Sequence, residues 1–158
     1  MSDLHELTVA VDLRDELCAA ELAELRWHLG TGPRPERLSI VTEFPVVVVD
    51  DAGLPVVEDD PHPLLAGHGA AARVGGALRS ALAARTDPAG RGWSLTCRQE
   101  IHPDEFGQVG ELLRWLAARA HRTHALADGA VGIGFLRFHE DEVPGVLRVE
   151  NGQVGWPA

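Results

Sequence analysis

Eight histidines are spread over 158 residues. Two of them, in His121-Arg-Thr-His124, have the i, i+3 spacing that places two imidazoles on one helical face. His139-Glu140 could complete a site of nitrogen and carboxylate ligands, and a metal-activated water among these groups would make a small hydrolase. That spacing is a weak signal, because it falls where a helix should fray into Ala125–Gly129. The expectation is that His121, His124, His139 and Glu140 are exposed polar residues, with no metal and no cofactor. A metal-dependent hydrolase with its site between two halves of the chain is the alternative.

Other chemistries find less support. Ser39, Ser80 and Ser94 lack the strand-to-helix turn of a nucleophile elbow. All 14 basic residues are Arg, which removes lysine Schiff-base chemistry and the Walker-type phosphate loop. Cys18 and Cys97 form no CxxC or zinc spacing and read as small residues on apolar faces. His62 and His68 read as loop and helix-start residues. Asp50-Asp51, Glu58-Asp59-Asp60 and Glu140-Asp141-Glu142 read as solvated acidic clusters at strand ends, without EF-hand spacing. The net charge of −10 argues against nucleic acid or an anionic membrane as partner. No basic-then-apolar leader opens the sequence and no apolar run is long enough to span a bilayer, so a cytoplasmic protein is expected.

The elements that would position these residues follow from periodicity. Leu7, Val9, Val11 and Leu13 alternate with polar or small neighbours and predict a strand. Asp15 and Glu16 suit a first helical turn, followed by an apolar stripe of Cys18, Leu22, Leu25 and Leu29 that Gly30-Thr31-Gly32-Pro33 ends. Phe44–Val49 reads as a strand buried on both faces, the turn at 50–53 follows, and Leu54–Glu58 returns. Trp93–Ile101 alternates again, Pro103-Asp104-Glu105 opens a second helix, and strands are predicted at 132–139, 146–150 and, beyond the Asn151-Gly152 turn, 153–156.

Both series read β-α-β-β. At an offset of 88 positions Leu7-Thr8 falls on Leu95-Thr96, and Leu25-Arg26-Trp27 on Leu113-Arg114-Trp115. The reading is a single α+β domain: a duplicated pair of units, 6–60 and 93–150, joined by a helical connector at 61–92, with a mainly antiparallel sheet and helices on one face. Ala71, Val74, Leu78 and Leu82 supply the connector's helical spacing.

Taking about 100° per residue, Trp27 and Trp115 point away from the stripes that should cover the sheet. Three arrangements would explain them: burial under the connecting helix, a homodimer or protein-partner interface edged by Arg26 and Arg114, or a small-molecule cleft. The functional expectation is a binding or regulatory module and not an enzyme, with Trp27, Trp115, Arg26 and Arg114 as the contact residues.

Overall fold

In a computed structural model, which describes residues 3–86 and 91–157, the chain is a mixed α+β protein with two α-helices. Its strands are β1 (His5–Leu13), β2 (Pro45–Val49), β3 (Pro55–Asp59), β4 (Gly69–Ala70), β5 (Ala77–Arg85), β6 (Gly92–Ile101), β7 (Val131–Phe138), β8 (Gly145–Glu150) and β9 (Gln153–Gly155). Helix α1 (Ala19–His28) follows β1, and α2 (Phe106–Ala118) follows β6. Seven strands form one antiparallel sheet in the order β4-β5-β6-β1-β7-β8-β9, while β2 and β3 pair only with each other. The central series β1-α1-β5-β6-α2-β7 is a double split β-α-β arrangement, each helix crossing over a strand inserted between its neighbours.

The alternation expected for β1 and β6 is present. Leu7, Val9, Val11 and Leu13 of β1 and Leu95, Cys97 and Ile101 of β6 are buried and face the helices. Leu112, Leu113 and Leu116 of α2 close the core above them. Gly134 lets β7 approach β1: a Cβ there would meet the Thr8 carbonyl oxygen and lie 3.0 Å from the Val9 Cα. Beside it, β7 carries a bulge between Gly132 and Gly134, which sends Ile133 into the core.

Four expectations are corrected. The connector contains no α-helix among its described residues; Ala77–Arg85 is a strand paired with β6. A spacing of four, as in Leu78 and Leu82, satisfies both the helical and the two-residue period, and Leu78, Ser80 and Leu82 lie on one strand face. Gly75 and Gly76, at φ 78° and 68°, turn the chain into that strand instead of opening a helix.

Helix α1 begins later than Asp15-Glu16 suggested. Cys18 occupies its N-cap and is exposed, and its N–H donates to the Glu21 carboxylate (3.1 Å). Phe44–Val49 is not a doubly buried strand. Only Phe44 is buried, and the four valines beyond it belong to the separate hairpin.

Nor do the two β-α-β-β series build equivalent units. Val9 does pair with Cys97, its counterpart at the repeat offset, and each of those strands is followed by a helix. After the helices the paths differ: β7 and β8 join the main sheet beside β1, whereas β2 and β3 leave it.

Candidate functional site

The β2–β3 hairpin has the composition of a core and the exposure of a surface. Its register sets Val47 opposite Val57 and Val49 opposite Pro55 on one face. Val47, Val49 and Val57 are 71%, 71% and 70% exposed, and Leu54 at the turn is 61% exposed. An isolated two-stranded ribbon is marginal in water, so this one depends on how its root is held. Asp50 closes the turn by accepting the N–H groups of Ala52 (2.9 Å) and Leu54 (2.8 Å). At the other end Asp59 accepts the Phe44 N–H (2.8 Å), and the Asp60 N–H donates to the Phe44 carbonyl (2.8 Å).

Phe44 in turn sits in an aromatic cluster at the end of α1. Its ring packs edge-on against Trp27 (centroids 6.4 Å apart) and His62 (5.2 Å), and stacks with His28 (6.3 Å). One helical turn before His28, Glu24 is fully buried. Its carboxylate accepts N–H groups from Ser39, Ile40 (2.9 Å) and Val41 (3.0 Å), and lies 3.2 Å from His28 Nε2. A buried carboxylate is tolerable only when so supplied with donors, and here they fasten the loop leading to the hairpin onto α1. His28 Nδ1 is buried and has no hydrogen-bond partner among the described residues. Burial pushes the His28 pKa below its ordinary value; the Glu24 carboxylate opposes that shift and His62 adds to it.

This clamp relocates Trp27. The tryptophan is 7% exposed, covered through Phe44 and the clamped loop instead of by a connecting helix, and Arg34 lies over its ring (6.0 Å to the centroid). Arg26 is exposed over Trp93, 5.3 Å from that ring's centroid. Trp115 is half-buried beneath Arg119 (4.3 Å), which also pairs with Glu21 of α1 (2.9 Å). Arg114 lines a shallow groove of about 200 Å³ between α2 and β9, beside Trp156. Each tryptophan thus has its own local covering. Sequence periodicity follows only the apolar stripe of α1 and carries no signal that Glu24 and His28, outside that stripe, are buried by a loop.

The histidines of the alternative reading have structural partners. His124 Nε2 accepts the Asp12 N–H (2.9 Å), and the His121 N–H donates to the Asp12 carbonyl (2.7 Å), so both tie the segment after α2 to the end of β1. His139 follows β7, its N–H donating to the Leu4 carbonyl (3.1 Å), and Glu140 is exposed. Among the described residues, no three His, Cys, Asp or Glu side chains gather in a metal-holding group. Cys97 is buried, and burial pushes its thiol pKa up to about 12, which denies it nucleophilic character.

The open face of the main sheet carries charge that is already paired. Glu6 is held between Arg98 and Arg137, Asp12 pairs with Arg85 (3.1 Å), and Glu100 accepts the backbone N–H groups of residues 72–74. No helix among the described residues is long and apolar enough to cross a membrane. No protein-family model, no curated protein and no solved structure matches the chain.

Proposed function

We propose that the protein is a non-catalytic binding module and that the β2–β3 hairpin is the arm through which it holds a protein partner. The observation that carries this reading is the row of exposed valines on an arm anchored at its root by Phe44 and the Glu24 clamp. Leaving three valines and a leucine uncovered costs solubility, and the clamp spends a buried carboxylate to support the segment that displays them. Both costs are explained if a partner covers the arm. A protein suits this surface better than a small molecule, which needs a concave pocket. The half-buried Trp115 with Arg114, expected as contact residues, take a secondary place, and Trp27 supports the arm from below. Cys18 and Cys97 are free thiols, which suits a reducing, cytoplasmic setting.

The test is site-specific photocross-linking in the source cell from position 47, with exposed position 122, in the segment after α2, as control. The captured protein is then purified and recombined with the wild-type chain and with Val47→Asp. One partner captured from position 47, bound by the wild type and lost in the variant, supports the reading. Equal capture from both positions, or a purified partner that binds Val47→Asp unchanged, refutes it.

A further inference from the structure

Within the arm, one strand edge is guarded and the other is open. The Phe44/Asp60 and Asp50/Leu54 hydrogen bonds fix the ladder's phase, because directly opposed residues in an antiparallel pair alternate between bonded and non-bonded. Val46 and Val48 therefore spend their N–H and C=O groups on β3, while Val47 and Val49 turn theirs outward. On β3 the outward positions are Pro55, Val57 and Asp59, so a proline without a donor and a carboxylate blunt that edge. On β2 the only blunting residue is Pro45, at the root. Proteins rarely leave an all-valine edge unguarded unless another strand pairs with it.

The arm's own charge has a single sign. Residues 43–60 contain six carboxylates (Glu43, Asp50, Asp51, Glu58, Asp59 and Asp60) and no arginine. Asp50 is engaged in the hairpin's turn and Asp59 at its root, but their charge remains. A second copy pairing edge to edge, centred on Val47, would set Glu43 opposite Asp51 twice, and like charges directly opposed are destabilising.

We infer that the occupant of the β2 edge is an extended, cationic segment of a different protein, adding as a strand beside Val47 and Val49 with alternate apolar side chains on the Val47/Val49/Val57 face and arginines or lysines reaching the flanking carboxylates. Main-chain hydrogen bonds and side-chain alternation supply the affinity of such strand addition, and the charge selects the partner. The inference rests on the reading of the hairpin as the contact arm.

The experiment uses the full chain and two short peptides, one alternating arginine with valine and one alternating glutamate with valine, and follows amide exchange residue by residue. The arginine–valine peptide is expected to slow exchange at Val47 and Val49 and to bind at least about tenfold more tightly than its acidic counterpart, with the difference shrinking as salt shortens the range of the charges. Val47→Pro removes the outward donor while sparing the β3 ladder and should abolish the protection. Should that variant fail to fold, the triple change Glu43→Gln, Asp51→Asn, Glu58→Gln should erase the preference for the basic peptide. Equal binding of both peptides at Val47 and Val49 overturns the cationic partner and leaves the arm standing. Protection that rises with concentration of the chain alone assigns the edge to a second copy and likewise overturns it. If neither peptide protects these amides, strand addition is refuted, and the cross-linking result from position 47 separately decides whether the arm binds anything.

Discussion

Replacing Glu24 perturbs the clamp at its centre. The carboxylate satisfies three backbone donors, those of Ser39, Ile40 and Val41, in a place where the side chain is fully buried. Glu24→Gln keeps the volume and the oxygen that serves Ser39 and Ile40, but sets an amide NH2 against the Val41 N–H and His28. One buried donor left unmade costs about 1–3 kcal/mol, and the remaining bonds lose their charge assistance, so a loss of roughly 2–4 kcal/mol is expected. Glu24→Ala leaves all three donors without the side chain, and roughly 4–5 kcal/mol is expected, near the upper limit for one substitution. For a chain of this length each kcal/mol lowers Tm by about 2–4 °C, so the alanine variant should melt roughly 8–20 °C lower. Chemical denaturation of both variants, read by circular dichroism, gives the values. Hydrogen exchange should show residues 38–44 losing protection before β1 and β6. A loss under about 1 kcal/mol for Glu24→Ala would refute the clamp, since three buried donors cannot be orphaned so cheaply.

Acid should weaken the same region: because burial holds the His28 pKa below its ordinary value, the unfolded chain takes up a proton first, so stability should fall as pH drops below about 6.5 and level off below the folded-state pKa, with His28→Gln flattening this part of a denaturation-versus-pH series. Gly134→Ala should cost more than about 3 kcal/mol in a thermal melt, because its methyl group would push the backbone of β1 away from β7 rather than displace a flexible side chain. The double change Val47→Asp, Val57→Asp should alter stability by less than about 1 kcal/mol, whereas Leu113→Ala, in the core, should cost about 2–5 kcal/mol. Equal losses from the two would mean that the arm is packed like core.

Much of the main sheet was legible from residue order. The two-residue alternation in β1 and β6 is strict, Pro103 opens the turn leading to α2, and Asn151-Gly152 makes the β8–β9 turn with Asn151 at φ 51°. Two segments were misread for identifiable reasons. Leu78 and Leu82 fit both periods, so only the glycines before them could arbitrate. The valine run of β2 has the composition of a doubly buried strand, and nothing local distinguishes a strand inside a sheet from one on an uncovered arm.

The clamp was illegible for a different reason. Glu24 and His28 are polar and are buried by a loop, and an apolar period registers neither fact. The proposed site was hidden along with them. Periodicity singles out Trp27 and Trp115 as large apolar residues on an outer face, whereas the structure leaves Val47, Val49 and Val57 far more exposed than either.

Residue-resolved amide exchange on a dilute sample tests directly whether the β2 edge is free in the isolated chain. Val46 and Val48, bonded to β3, should exchange slowly, and Val47 and Val49 should exchange at least about tenfold faster, as expected for outward donors facing water. Slow exchange at all four valines in dilute monomer would mean that the edge is already paired or packed against the body of the protein, and the arm would then be part of the fold with no partner to hold.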